Sequence, residues 1–547
     1  MDLQVDETLE KCILSSPRKS FFLFAGAGSG KTYSLVLLLK KIRNSIIGKD
    51  LLLQGKNVAV ITFTNAATDE IVNRLDYSPV FHISTIHSFV WDVIKYYQTD
   101  IKHLYCQYIQ EDIRVLYEKL EKAKSKTTKT YLSNAESQDI KKELVDAFFK
   151  IQENFANIFT LGLLGDQKQR IYADGKDNMV NVIPSDWEQP EKKMNYRCAK
   201  RIIKLANTIG KDLDIHAEQT PREDADAGLI RLFIVQQHEG INKDEVEQTV
   251  MKIMSDHTAD EKWFGKDADV KILTLEHMMA ARRLGFDQFF GPLSRVTKYQ
   301  MTFLQGTVYE LEFFTKEILP IADSIKEDGR GALEVLKAYS PLLSKQNTEK
   351  PYELYLRCRE EAGKVANMVN KNHTIREVVK SIWNSQLLTV LEVIRQASTL
   401  VAADITEEME EDLQAWVMVM DLPINMVRGY DDYVNQRTRF DTHQGVKGLE
   451  FDRVMVIIDD SEARGFMFSY DKLFGVKELT ETDIRHIEAG KESSVDRTQR
   501  LFYVTCTRAK ESLAIVMYTS DSEKVKNQAI NKGWFSEQEI IPLKKNE

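Results

Sequence analysis

Ala25-Gly26-Ala27-Gly28-Ser29-Gly30-Lys31-Thr32 constrains this chain more than any other segment. The apolar run Phe21-Phe22-Leu23-Phe24 precedes it, and an apolar stretch from Ser34 to Leu39 follows. A buried strand, a glycine-rich turn and a helix, in that order, make a phosphate-binding loop. Gly26, Ala27, Gly28, Ser29 and Gly30 form the candidate cradle, because glycines let backbone N–H groups close around phosphate oxygens. The helix N-terminus adds a field that favours anions. Lys31 is placed to reach the β- and γ-phosphates, and Thr32 to bind Mg²⁺. Ala25 stands where the strict pattern has glycine, a mild departure. A second buried-strand candidate, Val58-Ala59-Val60-Ile61, leads into a helix opening at Asn65-Ala66-Ala67. Strands alternating with helices predict a parallel sheet covered on both faces.

The 547 residues suffice for three or four domains at roughly 150 residues each. Apolar residues at 43% and charged residues at 29% exclude disorder as the main state. A net charge of −9 excludes a polybasic binder but leaves room for a local basic groove. Cys12, Cys106, Cys198, Cys358 and Cys506 are odd in number and widely spaced. That argues against a disulfide framework or structural zinc and for a reducing compartment. The first residues lack a basic and then apolar leader, and no apolar run reaches 18 residues. The expectation is a cytoplasmic chain with no membrane partner.

Strand candidates return at 159–164, Leu229–Val235, Val270–Leu275, Val454–Ile458 and Leu513–Met517. The lysine-rich run from Lys119 to Lys129 reads as a solvated helix face or loop. Between Gly291 and about Asn435 strand signals nearly vanish, so this stretch reads as helical, with an acidic run from Glu407 to Asp412.

Six further segments together resemble the UvrD/Rep/PcrA group of superfamily 1 DNA helicases. They are Thr62-Phe63-Thr64-Asn65-Ala66-Ala67, Thr85-Ile86-His87-Ser88-Phe89, Gly165-Asp166-Gln167-Lys168-Gln169-Arg170-Ile171-Tyr172, Asn195-Tyr196-Arg197, Thr442 to Phe451, and Tyr503 to Lys510. Any one of them alone would fit a helix cap beside a core aromatic, or a surface ion pair. Their order and spacing carry the resemblance. It covers about 10–235 and 436–520 well, is weaker at 236–290, and says of 291–435 only that it is a helical insertion.

The resemblance implies two RecA-like parallel-sheet α/β cores with ATP and Mg²⁺ between them and single-stranded DNA across their tops. It assigns 1–90 and 131–187 to the first core and 188–291 and 436–547 to the second, with helical insertions at 91–130 and 292–435. Thr62, Phe63, Thr64, Asn65, His87, Tyr172 and Thr442 are the implied DNA contacts, Phe63 by offering a ring to a base. Gln169 senses the γ-phosphate, Arg197 and Arg508 are arginine fingers, Tyr196 packs on the nucleotide, and Glu450 holds the ribose. The implied activity is ATP hydrolysis driving translocation or strand separation. The short first insertion, about 40 residues, resembles the compact helicase subunits of anti-phage systems such as Gabija, which work beside an OLD-family nuclease. A competing reading is a nucleotide-gated DNA sensor that regulates a partner nuclease.

Five positions depart from the family pattern, and those at Glu10, Ala135 and Ala173-Asp174-Gly175 favour that competitor. Glu10, 21 residues before Lys31, stands where the family has a Gln reading adenine, so base selectivity is expected to relax. Tyr33 replaces an Arg and remains able to stack on the base. Ala173-Asp174-Gly175 replaces an aromatic-Arg-Gly run, and Gln444 a His. In Asn134-Ala135-Glu136-Ser137-Gln138-Asp139, Glu136 is the candidate general base, but Ala135 stands where the metal-site Asp is expected. Impaired turnover is the consequence.

Overall fold

The computed structural model describes residues 2–62, 65–100, 102–103, 140–156, 159–166, 168, 183–211, 213, 218–326, 329–344, 350–463 and 467–543. They pack as two compact units. One contains 1–229, 448–450 and 496–511, and the other 230–447, 451–495 and 512–547.

The first unit is built on β1 (Phe21–Ala25), all five residues of which are buried. β2 (Val58–Thr62), β3 (Phe81–Thr85), β4 (Gly162–Gly165), β5 (Glu191–Lys192), β6 (Met194–Asn195) and β7 (Thr220–Pro221) follow. β4 and β5 flank β1, both parallel to it, and β2 pairs in parallel with β3 from Val58↔Phe81 to Thr62↔Thr85. Successive side chains of a strand face opposite ways, and β1 uses both faces. Phe21, Leu23 and Ala25 join Leu9, Val36, Leu39, Ile42, Val60, Ile71 and Phe81 in one core. Phe22 and Phe24 join Ile183 and Trp187 in another, with Phe149 stacked on Trp187 at 5.4 Å. A strand buried on both faces is the mark of a parallel α/β sheet.

The second unit holds a six-stranded sheet. Its strands are β8 (Leu229–Gln236), β9 (Lys271–Thr274), β10 (Phe440–Thr442), β11 (Phe451–Ile458), β12 (Ala509–Thr519) and β13 (Ile540–Leu543), in the order β10-β9-β11-β12-β8-β13. β9 is parallel to both β10 and β11, and β8 to β13. Val454–Ile458 and Leu513–Tyr518 are buried throughout, so this sheet too is covered on both faces. The described residues between β9 and β10 form helices and turns, with Phe289, Phe303, Phe314, Trp416 and Tyr430 as their aromatic core. Trp416 stacks on Phe314 at 5.5 Å and donates its indole N–H to Tyr299. In the acidic run the glutamates from Glu407 to Glu411 are exposed, and the run is tied down at its C-terminal end. Asp412 is buried against Lys298, and Glu411 accepts the Thr297 N–H.

Two parallel α/β sheets with a long helical excursion agree with the RecA-like expectation. Packing groups 188–229 with the first unit, whereas the sequence reading assigns them to the second core. The reason is local: β5 pairs with β1, and Asn195 bonds the phosphate loop. Among the described residues no helix is long and apolar enough to cross a membrane. The four described cysteines are free and buried; Cys106 lies outside the described residues.

Candidate nucleotide and DNA site

The site of the first unit begins where β1 ends. Gly28 and Gly30 adopt positive φ, 75° and 80°, which only glycine reaches without strain. Gly30 caps the helix Lys31–Asn44 with no side-chain cap, leaving the first N–H groups of that helix to an anion. Lys31 folds back on the loop, donating to the carbonyls of Ala25 (2.5 Å) and Gly26 (3.0 Å). Ser29 closes the turn with its hydroxyl on the Gly26 carbonyl at 2.8 Å. A Cβ on Gly26 would lie 2.3 Å from the Gln219 amide nitrogen, and one on Gly28 would lie 2.6 Å from Asn195 Oδ1. The cradle is therefore a bare-backbone surface.

Asn195-Tyr196-Arg197 lies against this loop. The Tyr196 N–H donates to the Gly28 carbonyl at 2.9 Å. The Tyr196 ring and Tyr33 Cβ both come within 3.9 Å of where a Gly30 Cβ would stand. Both tyrosines are exposed, 43% and 61%, a stacking surface beside the loop. Arg197 donates to the Thr507 carbonyl at 2.7 Å and reaches Glu450 at 3.4 Å. Its Nε is buried and has no hydrogen-bond partner among the described residues.

Arg508 is fully buried, and among the described residues it bonds only neutral acceptors: the carbonyls of Val504 (2.8 Å) and Leu449 (3.1 Å) and the Thr507 hydroxyl (3.1 Å). Burial, and next to it the charge of Arg197, pushes the Arg508 guanidinium down to about 9. Two arginines beside a glycine cradle, one of them depressed by burial and by its neighbour's charge, form a site for an anion of several charges. Tyr503 is buried, and its hydroxyl stands 3.5 Å from the Asp166 carboxylate. Burial, and then the Asp166 charge, pushes that phenol well above its ordinary range.

An orphaned Arg197 Nε and a cradle that a Cβ would fill fit a nucleoside triphosphate. For Mg²⁺ the described residues supply the Thr32 hydroxyl. Among them, no cluster of three carboxylate, His or Cys groups could hold a metal ion. Glu10 is ion-paired with Lys41 on the helix that follows the loop.

Several expected residues lie outside the described set: Glu136, Ala135, Gln169, Phe63, Thr64 and Tyr172. The Asn65 backbone opens the helix Asn65–Arg74, but its side chain lies outside the described set. Thr62 and Thr85 are register partners at the C-terminal ends of β2 and β3. The two candidate DNA segments of this unit therefore emerge side by side. Thr62 bonds the Thr68 hydroxyl at 2.6 Å, Thr85 caps the helix Ile86–Ile94, and His87 is exposed in that helix's first turn. In the second unit, Thr442 is buried at the end of β10, and its hydroxyl accepts the Gly445 N–H at 3.0 Å. His443 next to it is fully buried, between the Tyr470 hydroxyl and the Leu273 carbonyl. Sequence reasoning missed the roles of Asn195, Gln219 and Tyr503 at the loop. Asn195 could have been found from its place beside Tyr196-Arg197.

A family model described as the UvrD/REP helicase N-terminal domain matches residues 6–260. A second, the UvrD-like helicase C-terminal domain, matches 293–520. The chain is also similar to the Gabija protein GajB of Bacillus cereus (strain HuB5-5), 19% identical over 664 residues that cover 91% of this chain and 92% of that protein. The two family models take in the phosphate loop, both arginines, every strand of the first unit and β8, β10, β11 and β12 of the second, and the chain belongs to the UvrD/Rep helicase family, a family of DNA-dependent ATPases.

Proposed function

We propose that this chain is an ATP-driven translocase or helicase on single-stranded DNA, acting in anti-phage defence beside a nuclease. The observation that carries the reading is the convergence of Arg197 and Arg508 near a glycine cradle, with Arg197 Nε unsatisfied. Phosphoryl transfer is catalysed mainly by positioning and charge neutralisation. Lys31, Arg197 and Arg508 supply the cations. Tyr33 and Tyr196 supply the base platform, and Glu450 the ribose contact. Gln169 would sense the γ-phosphate, and Glu136 would accept the proton of the attacking water. Mg²⁺, held in part by Thr32, would neutralise the bridging phosphate charge. The paired ends of β2 and β3, with Thr62, Phe63, Thr64, Asn65 and His87, would carry DNA, joined by Tyr172 and Thr442.

A nuclease partner, with the OLD family as the expected class, is inferred from the similarity to a Gabija protein. The core boundaries proposed on this reading are 1–90 with 131–187, and 188–291 with 436–547, of which 188–229, 448–450 and 496–511 pack with the first unit. The test is ATP hydrolysis with and without single-stranded DNA at two salt concentrations. Strong stimulation, with DNA affinity falling steeply as salt rises, is expected. Salt-independent binding, or no binding at low salt, contradicts the DNA reading. A nucleotide-gated sensor is the second reading, favoured by Ala135 and by Glu10 being held by Lys41. Few ATP hydrolysed per DNA-binding event would select it.

A further inference from the structure

We infer that Gln219 is a positioning residue that holds the phosphate loop in its phosphate-binding conformation before nucleotide arrives; this rests on the nucleotide-site reading above. Gln219 is buried, 5% exposed, and donates its side-chain amide to the Ala27 carbonyl at 2.7 Å. Asn195 donates to the same carbonyl at 2.9 Å and to Gln219 Oε1 at 3.1 Å. The peptide unit is planar and trans, so a carbonyl and the following N–H point opposite ways. Two donors on the Ala27 carbonyl therefore fix the direction of the Gly28 N–H on the far side. That N–H has no acceptor among the described residues, which is the condition of a group reserved for a ligand.

Gln219 is itself clamped. Its backbone N–H donates to Asn207 Oδ1 at 2.9 Å, and its carbonyl accepts Asn207 Nδ2 at 2.8 Å. Asn207 lies on the helix Lys200–Gly210. From Asn195 the network continues: Oδ1 accepts the N–H groups of Arg197 and Cys198, both at 2.9 Å. One planar amide, donating on one edge and accepting on the other, thus sets the loop in register with the backbone that carries Arg197. Glutamate and methionine lack the donor, so neither reproduces this.

The test is equilibrium binding of ADP and of a slowly hydrolysed ATP analogue to the wild-type chain, Gln219→Met and Gln219→Glu. Thermal unfolding and steady-state ATPase run in parallel. Gln219→Met keeps the volume and removes the bond, so nucleotide affinity should fall about tenfold. KM rises to match, while kcat falls much less. Gln219→Glu, which sets a carboxylate against the Ala27 carbonyl, should bind more weakly still. A purely structural role predicts a lower unfolding temperature with unchanged affinity of the folded fraction, and that result overturns the proposal. A second series covers a variant that fails to fold. A Gly26→Ala Cβ would meet the Gln219 amide at 2.3 Å, so its loss of affinity should largely disappear in a Gln219→Ala background. Additive losses contradict the proposal. A wild-type chain that binds no nucleotide would overturn the underlying reading, whereas equal binding by wild type and Gln219→Met overturns this inference alone.

Discussion

Arg508 in the first unit and Arg283 in the second are both buried arginines, and their surroundings are opposite. Arg283 is held by Glu247 through two bonds of 2.9 and 3.1 Å and by Glu462 at 3.3 Å. Glu462 also takes Lys243 and Arg282, and Lys243 takes Asp459. Burial alone would lower the Arg283 guanidinium, but Glu247 and then Glu462 lift it above its ordinary value. Arg508 has carbonyls and a hydroxyl for partners, and it faces a second arginine. A buried charge whose counter-charges are built in belongs to the fold. A buried charge that bonds no carboxylate among the described residues, and on which Asp166 acts less strongly than Arg197, is held for a counter-charge that arrives from outside.

The same substitution at both positions is the strongest way to break this comparison, because methionine keeps the volume and removes the charge. Arg508→Met should lower kcat by roughly 10³-fold or more, the scale of an arginine finger. Stability measured by urea unfolding should stay within about 1 kcal/mol, since an unpaired buried cation contributes little net stability. Equal destabilisation at both sites would make Arg508 a structural residue. Arg283→Met leaves Glu247 and Glu462 short of a partner and should cost about 3–5 kcal/mol of stability. Nucleotide affinity of the folded fraction should not change. A loss of affinity without a loss of stability would remove Arg283 from the structural class.

Sequence reading reached the two sites unequally, for physical reasons. The phosphate loop was legible because its chemistry is local: β1, three glycines and Lys31-Thr32 lie within a dozen residues. β8, β9, β11 and β12 were legible because interior parallel strands are nearly continuous apolar runs. The helical stretch before β10 was legible because such runs are absent there. β5, β6 and β7, of two residues each, are fixed by packing and leave no periodic trace. Gln219 lies 192 residues from the carbonyl it braces, and a lone glutamine carries no signal. The ion cluster around Arg283 joins the helices Lys243–Thr258 and His277–Arg283 to the loop after β11, neighbours only in the fold. The contacts of Glu411 and Asp412 were not legible because their partners, Thr297 and Lys298, are remote in sequence.

A smaller effect sharpens the unpaired side. If Ala135 stands where a metal-site carboxylate is needed, Ala135→Asp should raise DNA-stimulated ATPase tenfold or more, about 1.4 kcal/mol off the barrier. Unchanged turnover, with Lys31→Ala still abolishing it, would show that 135 is not the metal position. A neighbouring expectation concerns the base. With Glu10 tied to Lys41 and two tyrosines offering faces, turnover of ATP and GTP at equal concentration should differ by less than about tenfold, since stacking discriminates bases weakly. A preference for ATP of a hundredfold or more would assign adenine reading to another residue.

The smallest effect tests the paired side through pH. Asp483 in the second unit is buried and accepts from Lys472 at 2.5 Å, from the Thr480 hydroxyl at 2.6 Å and from the Ser494 N–H at 3.0 Å. Burial by itself would raise this carboxyl, but the bonds from Lys472, Thr480 and Ser494 outweigh it and hold it well below its ordinary value of 3.8. A carboxyl whose folded pKa is depressed stabilises the fold above its unfolded pKa. That stability is complete at neutral pH and drains away as pH falls below about 4. Asp483→Asn keeps the shape but cannot carry the charge, and it should cost about 2 kcal/mol at pH 7, the scale of hydrogen bonds to a charged group. The loss should shrink as the pH drops through that window, because the unfolded wild-type chain takes up a proton there while the folded carboxyl stays charged. Urea unfolding of both chains at pH 7, 5, 4 and 3.5 measures it. If the difference between them stays constant from pH 7 to 3.5, Asp483 does not act through its charge. Pairing would then no longer explain why the second unit tolerates buried ions.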